Sequence, residues 1–389
     1  MKAIKQLYRI GYGPSSSHTI GPYRIAQYYR KEYPDCNRYE VLLGGSLALT
    51  AKGHGTLDII RRALECDDVS FVFRNDSAEN NMDITGFKGQ NEMPTWHGLS
   101  IGGGSVSIAE YDVDDDKETY EENCFDDVKT YLKEHDTDLL TYIYDHEPDL
   151  RRHLSDCLDV MYRTVENGLQ REGLLNESLK YHRIARKLYE SAKDKNDRLI
   201  AYSYAACEEN ASGGLMCTAP TLGSCGILIS LMYYLHMDEK VSDDHLCDML
   251  AIAGLFGNCI KQNATIAGSI GGCQAEVGTA CAMAAAAIAF HENGDLRTIE
   301  YAAEMGIEHC LGLTCDPVLG YVIIPCIERN AMYILRAFDC AELSLKFRNI
   351  KENVISFDDV VKVMNYTGNK LAVELKETSL GGLSLEYRK

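Results

Sequence analysis

Two hydrophobic periods follow one another along the chain. In the first part apolar positions come in short β-type runs: Glu40-Val41-Leu42-Leu43-Gly44 and Val69-Ser70-Phe71-Val72-Phe73 read as strands. Asn81 to Phe87 and Leu99 to Ala109 read as further strands, the last broken by Gly102-Gly103-Gly104. Leu47-Ala48-Leu49 is a small-residue segment, and Thr56 to Leu64 has the spacing of an amphipathic helix capped by Thr56. An α+β N-terminal domain over residues 1–111 is expected. From Ser155 onward the period becomes helical, over Ser155 to Gln170, Tyr181 to Ala192, Ile227 to His236, Asp243 to Phe256, Val277 to His291, Ile299 to Cys310 and Asp358 to Tyr366. These segments predict an all-α helical domain over residues 139–389. No internal repeat is visible.

Residues 112–138 separate the two patterns. Asp112-Val113-Asp114-Asp115-Asp116 and Glu121-Glu122 dominate their start, with few apolar anchors, so the stretch reads as an acidic linker. It lacks the fixed glycine of a calcium loop. The composition, 46% hydrophobic and 25% charged over 389 residues, is that of a globular protein with room for two domains. A formal charge of -19 argues against nucleic acid and anionic membranes as partners, which select clustered Lys and Arg. The start, Met1-Lys2-Ala3-Ile4-Lys5-Gln6, shows no secretory signal, and the longest apolar run, near Ala280 to Phe290, is too short to span a bilayer. A cytoplasmic location is expected, and with it free thiols among the 15 cysteines. Cys157, Cys207, Cys247, Cys259 and Cys340 fall in helix-like segments and read as small core residues.

Other cysteines stand apart. Cys273 follows Gly272, Cys315 lies two residues before Pro317, and Cys326 follows Pro325, so each sits where the chain turns or a helix begins and its sulfur can enter a shared cavity. Their gaps of 42 and 11 residues match neither zinc ribbons nor ferredoxins, so spacing alone leaves three unrelated buried cysteines as an open reading. Gly13-Pro14-Ser15-Ser16-Ser17-His18-Thr19-Ile20-Gly21-Pro22 gathers hydroxyls and backbone N–H groups at a helix start, a place suited to a carboxylate, although an ordinary helix cap would use the same residues. Lys52-Gly53-His54-Gly55 holds a histidine between two glycines, open on both sides to a ligand. The remaining irregular joints are Glu209-Asn210-Ala211-Ser212-Gly213-Gly214 and Thr218-Ala219-Pro220-Thr221.

These blocks, together with Gly45-Ser46-Leu47-Ala48, Gly272-Cys273-Gln274-Ala275-Glu276-Val277-Gly278, Gly312-Leu313-Thr314-Cys315-Asp316-Pro317-Val318 and Pro325-Cys326-Ile327-Glu328-Arg329-Asn330-Ala331, resemble in this order the iron-sulfur-dependent L-serine dehydratases, in their single-chain form. The resemblance runs from near the N-terminus to Thr378-Ser379-Leu380-Gly381-Gly382-Leu383. It implies a β-containing N-terminal domain before a helical catalytic domain, and a [4Fe-4S] cluster held by Cys273, Cys315 and Cys326. The fourth iron, without a cysteine from this trio, would act as a Lewis acid on L-serine. His54 is expected as the base for the α-proton and His18 as a substrate-orienting group, with the reverse assignment open. Ser15, Ser16, Ser17 and Thr19, with Asn210, Ser212 and Gly213, would bind the substrate. Pyruvate and ammonia would be the products, in amino-acid catabolism and gluconeogenesis, without pyridoxal phosphate.

In some members of that family a C-terminal cysteine reaches the cluster; here the last residues, Gly382-Leu383-Ser384-Leu385-Glu386-Tyr387-Arg388-Lys389, contain none. Water or another residue is then expected at the open iron, or a cluster more exposed to oxygen. Rival readings are a related L-threonine or L-cysteine lyase, a non-catalytic iron-sulfur or serine sensor, and a structural zinc site. A homodimer is expected from the frequency of that assembly among soluble enzymes.

Overall fold

The computed structural model describes residues 1–74, 79–113 and 117–387; Asp114, Asp115 and Asp116 of the acidic run, and Arg388 and Lys389 at the end, lie outside the described residues. The chain begins in the helical body. Ile4, Leu7 and Tyr8 are buried in its core, Tyr8 donates its hydroxyl to the Leu250 carbonyl at 2.8 Å, and strand β1 (Ile10–Tyr12) pairs antiparallel with Leu215–Cys217. The start of the chain, to Tyr12, therefore packs with the helical body, whereas the turn Ser16–Ile20 packs on α1 (Gly21–Glu32) and its neighbours in the α+β lobe.

The α+β lobe follows. Helix α1 (Gly21–Glu32), β2 (Arg38–Gly44), α2 (Ser46–Thr50), α3 (Thr56–Leu64), β3 (Val69–Arg74), β4 (Asn81–Lys88), β5 (Asn91–Glu92), β6 (Trp96–Gly102) and β7 (Ser105–Ile108) build a sheet of order β3-β2-β4-β6-β7, with β5 on β4. Among the described strands of this sheet only β2 and β3 pair in parallel, across the α2–α3 connection. Tyr39, Val41 and Leu43 alternate into a core shared with Ile25, Ala26 and Tyr29 of α1 and Ile60 and Leu64 of α3. The break expected at Gly102-Gly103-Gly104 is the β6–β7 turn, where all three glycines have positive φ. The α3 cap differs from expectation: Gly55, at φ 67°, precedes the helix, Thr56 is its first residue, and the Thr56 hydroxyl is buried with no hydrogen-bond partner.

Part of the stretch read as a linker is ordered structure in the helical core. Tyr120 is buried against Glu147, and helix α4 (Phe125–Glu134) buries Phe125, Val128 and Leu132, its first N–H groups capped from afar by Asp358. The body then runs through α5 (Leu139–His146), α6 (Leu150–Gln170), the small pair β8 (Leu174–Asn176) and β9 (Tyr181–His182), α7 (Ala185–Ser191), α8 (Lys195–Ala211), β10 (Leu215–Cys217), α9 (Cys225–Met237), α10 (Asp243–Asn263), α11 (Gly268–Gly271), α12 (Thr279–His291), α13 (Leu296–Glu308), α14 (Cys326–Phe347), α15 (Phe357–Lys370) and α16 (Leu383–Glu386). The helix expected over Tyr181 to Ala192 is thus shortened by β9. Helix α12, the long apolar run of the sequence, is buried on every side from Thr279 to Ala289, and its alanines let neighbours approach closely: a Cβ on Gly306 would meet the Ala282 backbone at 2.7 Å. Among the described residues no helix is long and apolar enough to cross a membrane.

Glu304 of α13 is 1% exposed, with Oε2 unpartnered; burial, then the Glu308 carboxylate, push its carboxyl up to about 8. The folded protein keeps a proton that the unfolded chain releases above about 4.5, so this group costs stability as pH rises from about 4.5 through 8. Glu304→Gln is expected to match wild type in thermal unfolding at pH 4 and to exceed it by about 1–3 kcal/mol at pH 9.

Candidate active site

The loop before α1 is fixed from several directions. Asn210, near the end of α8, donates Nδ2 to the carbonyls of Pro14 (2.8 Å) and Leu222 (3.1 Å), and the Gly13 N–H reaches the Gly214 carbonyl at 2.9 Å. Residues Ser16–Ile20 form a wide π-type turn that runs directly into α1. The Thr19 hydroxyl lies 2.6 and 2.5 Å from the carbonyls of Tyr12 and Ser15 and is wholly buried, so it holds the turn and has no reach toward a ligand. Ser100 donates to the Ser17 carbonyl at 2.6 Å, directly beneath Gly21, where any Cβ would collide with it.

His18 is thereby buried among hydroxyls. Ser46 Oγ donates to Asn80 Oδ1 at 2.8 Å, so its oxygen is left to accept from His18 Nε2–H, 3.2 Å away. That assigns the lone pair to His18 Nδ1, which lies 2.8 Å from Ser17 Oγ and 3.3 Å from Ser15 Oγ. Burial, then the neighbouring His54, lower the His18 imidazole to about 4, and it is neutral near pH 7.

His54 is fully buried and stacks on His18 with ring centroids 4.2 Å apart, which differs from the ligand-open setting expected of a histidine between glycines. Gly53 is needed because its α-carbon abuts the Gly320 carbonyl: an added Cβ would lie 2.6 Å from that oxygen. His54 Nδ1 is 3.2 Å from the Thr50 carbonyl, an acceptor only, so Nδ1 carries the proton and Nε2 the lone pair. Nε2 is buried and has no hydrogen-bond partner within reach among the described residues, Glu377 Oε1 standing 3.6 Å away. An imidazole fixed at Nδ1, with Nε2 at the cavity beside Glu377 Oε1, is placed to act as a base.

The cysteines arrive from the other side. Cys273 stands between Gly272 (φ 73°) and the π-type turn Gln274–Gly278, Cys315 pairs its backbone with the strap around Lys376, and Cys326 is the first residue of α14. All three line one small cavity with Ser15, His54, Glu276 and Glu377. All three thiols are free, and the donor atoms of Cys273, Glu276 and Cys315 lie within 4.8 Å of one another. A hydrogen bond from Cys315, and then Arg329, hold Cys273 below the usual thiol range despite burial; the same sharing and burial push Cys315 up. Burial also pushes up Cys326. Arg329, anchored 2.6 Å from the Thr314 carbonyl and 3.7 Å from Asp316, supplies positive charge behind the thiols. Converging free thiols backed by a guanidinium form a donor set suited to a thiolate-held iron-sulfur cluster with one position to spare.

Two carboxyls of the site carry no expectation from sequence. Glu276 accepts from Thr221 Oγ1 at 2.9 Å, and burial, then Glu377, raise its carboxyl well above the usual range. Glu377 comes from the C-terminal strap: its N–H donates to the Cys315 carbonyl at 2.7 Å, and Cys315 N–H to the Leu375 carbonyl at 2.8 Å. Its Oε1 is 3.5 Å from His18 Nδ1 and 3.6 Å from His54 Nε2. Burial alone would raise Glu377, but the two imidazoles and Ser15 outweigh it and hold the carboxylate low. The sequence signal was a glutamate immediately before the Thr378 to Leu383 block.

Of the residues expected to bind substrate, only Ser15 lines the cavity. Ser16 is buried and Ser17 serves His18. Asn210 acts on the loop's backbone, its Oδ1 buried without a partner. Ser212 and Gly213, expected at the substrate, are both exposed at the end of α8 and outside the cavity lining: Ser212 donates to the Glu208 carbonyl at 2.6 Å, and Gly213 takes φ 73° to close the helix. Cys157, Cys207, Cys247, Cys259 and Cys340 are buried and away from this cavity's lining.

Residues 70–384 match the family model described as serine dehydratase alpha chain, and residues 3–72 the one described as serine dehydratase beta chain. The two matches meet inside β3, so both contribute to one sheet. The chain is 32% identical to an L-serine dehydratase of Streptomyces coelicolor over 98% of each chain. It is 32% identical to L-serine dehydratase 1 of Escherichia coli over 100% of each, and 30% identical to an L-serine dehydratase of Haemophilus influenzae over 99% of each.

Proposed function

The chain belongs to the serine dehydratase family, and we propose that this L-serine ammonia-lyase works through a [4Fe-4S] cluster held by Cys273, Cys315 and Cys326, with His54 as the base. The observation that carries the reading is the meeting of an unpartnered, buried His54 Nε2 with three free thiols on one cavity.

The reaction takes a weakly acidic α-proton and a poor leaving group from the same small molecule. His54 Nε2 takes the α-proton; its Nδ1–H stays on the Thr50 carbonyl, which fixes the ring's direction. Glu377 Oε1, 3.6 Å away, stabilises the imidazolium that results. His18, held neutral and stacked on His54, orients its partner; Ser17 is taken up by His18 Nδ1, and Ser15, on the cavity, is the hydroxyl left for the substrate carboxylate. The cluster, when bound, supplies a Lewis acid for the β-hydroxyl. Loss of the α-proton and the hydroxyl as water gives aminoacrylate, which tautomerises and hydrolyses to pyruvate and ammonia. Burial of His54, His18, Ser15 and Glu377 keeps bulk water from the base. The cytoplasm and a homodimer are the expected setting.

Protein purified without oxygen is expected to be brown, to contain about four iron and four sulfide per chain, and to form pyruvate from L-serine. Rates on L-threonine and L-cysteine decide between serine and its rivals, because one methyl or a thiol for a hydroxyl is worth only about 1–3 kcal/mol in a pocket. Zinc in place of iron, or serine binding without pyruvate, would overturn the reading.

A further inference from the structure

The C-terminal strap brings into the site a carboxylate whose two oxygens stand in different situations. Glu377 Oε1 faces both imidazoles, whereas Oε2 is buried and has no hydrogen-bond partner among the described residues. A carboxylate oxygen taken out of water and left without a donor is costly, and such a cost persists where a ligand removes it. His54 Nε2 is the neighbouring unpartnered atom, and both residues line the same cavity.

We infer that Glu377 Oε2 receives the substrate's α-ammonium group, and that this contact makes the site select 2-amino acids over 2-hydroxy acids. The inference rests on the serine ammonia-lyase reading and adds to it the group that recognises the amino end. In an α-amino acid the nitrogen and the proton to be removed are attached to the same carbon, so the ammonium acceptor and the base must be near neighbours. The 3.6 Å between Glu377 and His54 meets that demand. Arg329 lends positive charge to the thiols, and Glu377 is the carboxylate on the cavity that stands beside the base. The strap is also firmly placed: Leu383 N–H bonds Asp316 Oδ2 at 2.7 Å, Ser379 Oγ bonds the Pro317 carbonyl at 2.7 Å, and a Cβ on Gly382 would collide with Asp316. A carboxylate so held recognises an ammonium without first being ordered.

The test compares ligands that differ only in that group, on the anaerobically purified enzyme. In Glu377→Gln, KM for L-serine and the calorimetric Kd of L-alanine, which cannot lose water, are expected to rise about 10- to 100-fold. The inhibition constant of L-glycerate, with a hydroxyl in place of the ammonium, is expected to stay within about twofold of wild type. Glu377→Asp, which keeps the charge, is expected to retain the preference for L-alanine over L-lactate, and it carries the comparison if the Gln variant does not fold. Unchanged affinity for L-serine and L-alanine, or equal losses for amino and hydroxy ligands, overturns the inference. A wild type that forms no pyruvate would instead remove the parent reading, so the two failures are distinguishable.

Discussion

Cys315→Ala, purified without oxygen, is expected to lose its iron and more than about 100-fold of its pyruvate-forming activity, since even partners in a metal's outer shell are worth 10- to 100-fold. The loss should be disproportionate to any loss of stability. Removing one buried sulfur costs about 1 kcal/mol of packing, and the backbone bonds by which residue 315 holds Leu375 and Glu377 do not involve the side chain. Cys259→Ala is the matched control. Cys259 is equally buried, in α10, but outside the cavity lining, so iron and activity should survive there. Iron and sulfide analysis with the visible spectrum reads the cluster independently of turnover. An active, iron-free Cys315→Ala would reject the mechanism.

His54→Asn should lower kcat by about 10²- to 10⁴-fold, the range for loss of a positioned base. Iron content and the melting temperature should stay near wild type, because the Asn amide can still donate to the Thr50 carbonyl while the lone pair at Nε2 is gone. His18→Gln separates the roles. Its amide can reach Ser46 as Nε2–H does now, so a neutral, orienting His18 predicts a raised KM with a smaller fall in kcat. The reverse pattern, a collapse of kcat in the His18 variant and a mild effect in the His54 variant, would exchange the assignments. The network argues against that exchange: His18 has partners at both ring nitrogens, and His54 at only one.

What local patterning could determine, it determined well. The strands of the α+β lobe and the long helices of the body are written in the period of their apolar residues, since each element buries one face, or for α12 every face. The cysteines on the cavity were separable from those in the packed helices because Gly and Pro beside them mark turns and a helix start, where a side chain leaves the packed stripe. Local sequence also flagged the Ser-rich turn around His18 and the glycine-flanked His54, but misjudged what the flanking residues do. Thr19, Ser212 and Gly213 spend their polar groups on the backbone of their own turns, a common fate of such residues that no motif distinguishes from ligand binding.

The site itself was decided only by the tertiary structure. His18 comes from the turn before α1, His54 from the α2–α3 connection, the thiols from the helical body, and Glu377 from a strap about 320 residues further along than His54. The packing of Ile4, Leu7, Tyr8 and Ile20 into the helical core joins these parts, and so does the pairing of β1 with β10. Contacts of such separation leave no periodicity behind. A hydrophobic stripe records that a face is buried but not against what, and a lone glutamate between Lys376 and Thr378 carries no sign that two imidazoles wait for it.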